Sequence, residues 1–125
     1  MKIEPFKLEH FFAKYEFTSN YLLSSSDCDG FSLKDILSFA SHEEQVLWSN
    51  LTLGYTESQG LPKLREEIAK LYTKISKDQV TVLTPEEGIF VALNCILNPN
   101  DHVICISPSY QSLHQIVKSI GCDIS

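Results

Sequence analysis

The chain has 125 residues, of which 43% are hydrophobic, 10% aromatic and 21% charged, the composition of one ordinary soluble domain rather than a disordered segment. Ten Lys+Arg against sixteen Asp+Glu leave a net charge of −6, so no basic excess is available to grip a nucleic-acid backbone. No apolar run approaches the roughly 20 residues of a membrane helix, and Met1-Lys2-Ile3-Glu4-Pro5 carries an acid and a proline where a signal peptide is apolar. The expectation is a cytoplasmic protein with neither nucleic-acid nor membrane partners.

In the N-terminal segment, Phe6, Leu8, Phe11, Phe12 and Tyr15 recur at near-helical spacing and predict a short helix whose aromatic side joins the core. Ser24 to Gly30 is rich in turn formers and reads as a loop. Ser32 is placed to cap a second short helix carrying Leu33, Ile36 and Leu37 on one face.

Gly60-Leu61-Pro62 sets a proline where a helix begins without losing an internal bond, and Leu64, Ile68, Leu71, Tyr72 and Ile75 then predict an amphipathic helix running to Ile75. Its other face, Lys63, Arg65, Glu66, Glu67, Lys70 and Lys74, reads as an ordinary solvated surface of mixed sign. The period changes at Val80-Thr81-Val82-Leu83, which predicts a strand, and Pro85, Glu86 and Glu87 open a helix striped by Ile89, Leu93, Ile96 and Leu97.

Asn98-Pro99-Asn100-Asp101 ends that helix, and His102 to Ile106 reads as a buried strand. Leu113, Ile116, Val117 and Ile120 mark a further helix up to Gly121, and Cys122 to Ser125 is a short third strand. Residues 80–125 are therefore β-α-β-α-β, an α/β pattern of parallel strands with crossover helices. Ligands in such sheets gather beyond the strand C-termini, which here means Thr84 to Glu87 and Ser107 to Tyr110.

Chemistry-bearing side chains are sparse. Cys28, Cys95, Cys105 and Cys122 lack the close pairing of zinc or dithiol motifs, and three sit in apolar runs, so they read as buried reduced thiols with no metal site. No G-x-S-x-G, Walker or dinucleotide fingerprint is present. The start of the helix at Pro85 suits either a phosphate or plain capping by Glu86 and Glu87, and Tyr110 suits either a platform for a planar ligand or an amphipathic-helix aromatic. Tyr55 stands among polar neighbours in Gly54-Tyr55-Thr56-Glu57-Ser58.

Taken together, Gly54 to Ala69 (GYTESQGLPKLREEIA), Val80 to Phe90 (VTVLTPEEGIF) and Asn100 to Ile104 with Pro108-Ser109-Tyr110 resemble the N-terminal part of the fold-type-I, pyridoxal-phosphate-dependent aminotransferases of class I/II. The resemblance implies an α/β fold, an incomplete large domain of the fold-type-I transferases, with residues 1–50 as an N-terminal segment of short helices and 51–125 as the beginning of the cofactor-binding large domain. It implies pyridoxal phosphate as cofactor, amino acid and 2-oxo acid substrates, and a homodimer. By position it assigns Tyr55 to the cofactor phosphate of the neighbouring subunit, Thr84, Pro85 and Glu86 to the phosphate-cradling turn, and Tyr110 to stacking on the pyridine ring.

Three departures follow from the residues. Pro85 has no N–H to donate to a phosphate oxygen, Glu86 brings a carboxylate beside a dianion, and none of the nine lysines, at positions 2, 7, 14, 34, 63, 70, 74, 77 and 118, stands in the family's lysine context. Without that amine the cofactor has no covalent holder and transamination no starting species, so the expectation is a truncated, inactive aminotransferase-like chain with no catalytic residue of its own. The alternative is a non-catalytic interaction protein that retains half of an enzyme fold.

Overall fold

The computed structural model describes residues 2–125 and divides into two compact units, one formed by the chain up to Asn20 together with Glu57–Ser125, the other by Tyr21–Thr56. In the smaller unit, two helices are started by their own side chains. Ser32 Oγ accepts the Asp35 amide at 3.1 Å to open α2 (Leu33–Ser38), as its sequence signal requires. A second helix, α3 (His42–Ser49), follows, with a reciprocal capping box in which the Ser41 amide donates to Glu44 Oε2 at 2.7 Å and the Glu44 amide to Ser41 Oγ at 3.3 Å. That Ser-x-x-Glu signal is present in the sequence, although no helix was expected there. Neither helix buries a residue.

The larger unit opens with α1 (Lys7–Tyr15). Its aromatic stripe does not join the core as expected: Phe11 and Tyr15 are exposed and lie against one another with centroids 4.9 Å apart and planes tilted at 46°, and the helix has no buried residue. The helix α4 (Pro62–Ala69) starts at the expected proline but stops six residues before Ile75. At its end the Leu71 and Tyr72 amides turn to the carbonyls three residues back, at 3.1 and 3.0 Å, and the chain folds back through a 3₁₀ turn at Lys77–Gln79.

Arg65 ties that return to α4, and it is a correction to its reading as solvated surface. Its side chain is buried, at 7% exposure, and its Nε donates to the Val80 carbonyl at 2.9 Å while Nη2 donates to the Lys77 carbonyl at 2.7 Å. One guanidinium thus satisfies two backbone acceptors that a regular element would otherwise have to pair.

Residues 80–83 form no strand, against the expected one over Val80 to Leu83. Val82 gives its amide to the Gln59 carbonyl at 2.9 Å, a loop contact rather than a ladder. At Gly60 the backbone sits at φ +99°, and a Cβ there would lie 2.8 Å from Val82 Cβ, so glycine is required for this close approach. The helix α5 (Pro85–Ile96) then begins where expected, with the Gly88 amide bonded to the Thr84 carbonyl at 2.8 Å.

Beyond a tight turn at Asn98–Asp101, closed by the Asn98 amide on Asp101 Oδ2 at 2.6 Å, the chain forms β1 (His102–Val103), α6 (Gln111–Ile120) and β2 (Asp123–Ile124). The two strands are parallel, with His102 opposite Asp123 and Val103 opposite Ile124, so this part of the expected strand–helix–strand unit is present. The ladder extends through the Ser125 amide on the Val103 carbonyl at 3.1 Å and the Cys105 amide on the Ser125 carbonyl at 2.9 Å. Gly121, at φ +98°, ends α6 in the left-handed conformation.

Among the described residues the apolar core is small. Val117 at 1%, Ile116 at 3% and Ala69 are the buried apolar side chains, and the Ser112 hydroxyl is buried beside them without a hydrogen-bond partner. The expected buried strand at 102–106 is mostly bare: Ile104 and Ile106 are 80% and 83% exposed, Ile104 even though Val103 and Cys105 on either side of it are bonded to Ser125. The thiols are free, but not buried as expected; Cys28 and Cys95 are exposed, and Cys105 and Cys122 half-buried.

Candidate functional site

Two loops lead into helices at the larger unit's chemically distinctive end. Thr84 is the N-cap of α5, and its hydroxyl donates to Glu87 Oε2 at a long 3.4 Å instead of capping a backbone amide. Pro85 occupies the first helical position, and Glu86 and Glu87 fill the rest of the first turn. Tyr110 is the N-cap of α6, two residues after the proline of the cis Ser107–Pro108 peptide.

These two helix starts meet at a cavity of about 440 Å³ lined by Phe6, Glu9, Glu86 and Tyr110. The Tyr110 hydroxyl donates to Glu9 Oε1 at 2.8 Å, and Phe6 packs edge-on against the Tyr110 ring, with centroids 6.0 Å apart and planes at 64°. The Tyr110 phenol is pushed up to about 12, first because Glu9 holds its proton, then by burial and the nearby Glu86 carboxylate.

Of the five positions singled out in the sequence, Glu86 and Tyr110 share this cavity. Thr84 and Pro85 are exposed at the adjoining start of α5. Tyr55 is wholly exposed and belongs to the smaller unit. Sequence reasoning missed Phe6 and Glu9 at this cavity, since both lie more than a hundred residues from Tyr110, and the spacing of Phe6 had grouped it with the stripe of α1.

The donor set here does not fit a doubly negative phosphate. Pro85 removes an amide from the first turn of α5, Glu86 and Glu9 bring carboxylates to the cavity, and the lining holds no cation. A phosphate would face two negative charges with fewer donors than a free helix start offers. Among the described residues no three His, Cys, Asp or Glu side chains gather to hold a metal ion, and no helix is long and apolar enough to cross a membrane.

Comparison with known proteins places these features in context. Residues 19–125 match the family described as aminotransferase class I and II. The chain is 34% identical over 74 residues to an aspartate aminotransferase of Sulfurisphaera tokodaii, covering 54% of this chain and 18% of that protein. It is 31% identical over 78 residues to a valine–pyruvate aminotransferase of Mycobacterium tuberculosis, covering 58% of this chain and 20% of that one. The matched stretches thus span about a fifth of these relatives' lengths. A crystal structure of an aminotransferase from Mycobacterium tuberculosis shares the fold, with a TM-score of 0.72 at 22% identity over 98% of this chain and 34% of that one.

Proposed function

Because the chain belongs to the aminotransferase class I and II family, we propose that it is the N-terminal part of an aminotransferase-like protein and that it carries out no amino transfer by itself. In this reading residues 51–125 begin the pyridoxal-phosphate-binding large domain and residues 1–50 precede it. The activity of the whole protein is transfer of an amino group between an amino acid and a 2-oxo acid, in a cytoplasmic homodimer. Tyr55, Thr84, Pro85, Glu86 and Tyr110 occupy the positions that face the cofactor in the family.

The observation that carries this reading is the cavity at which the starts of α5 and α6 converge, bringing Glu86 and Tyr110 together beyond β1 and the 80–83 segment. Loops after parallel strands are where ligands of such sheets collect. Inactivity of the chain alone follows from its chemistry: the first turn of α5 lacks the Pro85 amide, two carboxylates line the cavity, and no lysine lines it. Residues elsewhere in a complete protein would have to supply both the positive charge and the reactive amine.

The alternative, a non-catalytic interaction protein with half of an enzyme fold, draws support from Ile104 and Ile106, which stand exposed beside the short sheet. The two readings share one expectation and divide on another. Purified chain, given pyridoxal phosphate, a panel of amino donors and 2-oxo acids, forms no product above the cofactor-only background under either. If the first holds, fusing the chain to the remainder of a family member restores turnover; an inert but folded fusion favours the second. Turnover by the chain alone refutes both.

A further inference from the structure

The cavity that rejects a phosphate has a lining of definite chemistry: two aromatic rings, Phe6 and Tyr110, and two carboxylates, Glu9 and Glu86. Gln111 ties the chain before α1 to the start of α6, its Oε1 accepting the Lys7 amide at 3.1 Å and its Nε2 donating to the Pro5 carbonyl at 2.9 Å. Phe6, between those two points, meets Tyr110 with the ring planes at 64°, so the rings form a corner rather than a closed stack, and Tyr110 stays 36% exposed. Glu9 Oε1 accepts the Tyr110 hydroxyl at 2.8 Å. The phenol is raised first by that bond, then by burial and by the charge of Glu86, which puts both carboxylates within electrostatic reach of one hydroxyl. Among the described residues neither of them is paired with a cationic side chain.

We propose that this cavity binds a small organic ammonium ion, a cationic amine on an apolar stem, with Glu9 and Glu86 accepting from its N–H groups and the Phe6 and Tyr110 rings packing on the stem. Two carboxylates sharing one cavity repel each other, and a monocation between them relieves that repulsion. The electron-rich ring faces attract the same positive charge, which the carbons next to an ammonium also carry. A volume of about 440 Å³ lies within the range of small-molecule sites. A metal ion suits the lining less well, because two carboxylates fall short of the six to eight oxygens that a calcium ion gathers and no third acid, His or Cys joins them. An anionic ring meets two like charges and no donor to offset them. The assignment concerns residues of this chain only and needs no cofactor.

The test titrates the full chain at neutral pH and low salt with phenethylamine and with 3-phenylpropionate, which presents the same ring and stem with the opposite charge. The ring proton signals of Tyr110 and Phe6, assigned through Tyr110→Phe and Phe6→Leu, report binding at this cavity. Phenethylamine shifts both rings saturably and added salt weakens it, whereas 3-phenylpropionate leaves them in place. Glu9→Gln and Glu86→Gln each remove one charge with little change of shape, and each weakens phenethylamine binding about two- to fivefold, the range of one exposed ion pair. Equal shifts from the two probes, no shift from phenethylamine, or unweakened binding in both Gln variants overturns the assignment.

A parallel titration with pyridoxal phosphate, with inorganic phosphate as control, keeps this result apart from the family reading. Tighter binding of pyridoxal phosphate than of phenethylamine at the same two rings overturns the ammonium site and favours the cofactor. An inert fusion protein, by contrast, counts against the family reading and leaves the phenethylamine result unaltered.

Discussion

Replacing Arg65 by alanine removes a side chain that ties α4 to the segment after it. Its guanidinium makes two hydrogen bonds to carbonyls, at 2.9 and 2.7 Å, from a site only 7% exposed, and bonds from charged donors contribute about 1.5–3 kcal/mol each. Water can take over at the exposed Lys77 but less readily at the half-buried Val80, which leaves an expected loss of about 2–4 kcal/mol. With a urea slope of about 1–3 kcal/mol per molar, the unfolding midpoint falls by about 1–2 M, or the variant is unfolded in water.

Lysine at the same position restores no more than about half, because one ammonium cannot span two acceptors as the planar fork does. Asp78 provides the control. Its ion pair to Arg65 is 3.6 Å long and its side chain 81% exposed, so Asp78→Ala shifts stability by less than about 0.5 kcal/mol. Urea unfolding followed by far-UV circular dichroism, with exchange of the Val82 amide as a local probe, checks the series. Equal effects of Arg65→Ala and Asp78→Ala would refute the reasoning, since the exposed ion pair would then account for all that Arg65 does.

Gly60→Ala forces a Cβ to within 2.8 Å of Val82 Cβ at φ +99°, whereas at Gly121, φ +98°, a Cβ meets Pro99 Cβ at an ordinary 3.6 Å. Losses of about 2 kcal/mol or more and about 1 kcal/mol are expected, and the reverse order of urea midpoints contradicts this. Because the Tyr110 phenol is raised from 10 to about 12, its bond to Glu9 stabilises the fold fully below about pH 10 and is lost as pH rises towards 12. Difference absorbance against Tyr110→Phe reads that titration, and Glu9→Ala moves it back towards 10; no movement contradicts the assigned cause. With few buried apolar residues and Ile104 and Ile106 bare, the isolated chain is expected to associate, visible as concentration-dependent sedimentation; a cooperative, concentration-independent monomer melt refutes that expectation.

Local signals in the sequence identified most helix starts and the end of α6. Ser32, Pro62, Pro85 and Gly121 act within one turn of themselves, so their effect is written in neighbouring residues. The failures share one cause. Val80 to Leu83 has the residues of a strand, but a strand exists only with a partner, and Val82 is bonded to Gln59 instead. Arg65 has the helical phase of a surface residue, yet two carbonyls brought back by the following turn bury it. At the site, Glu86 and Tyr110 were legible from their places after strand-like runs, whereas Phe6, Glu9 and Gln111 became visible only when folding brought residues about a hundred apart into contact.

The most direct test of the central claim, that this chain lacks the amine on which the family's chemistry depends, is borohydride reduction in the presence of pyridoxal phosphate followed by intact-mass analysis and peptide mapping. Absence of an anchoring lysine predicts sub-stoichiometric labelling scattered over exposed lysines and suppressed little by competing free amine. Quantitative modification of one lysine, accompanied by amino transfer, would contradict it.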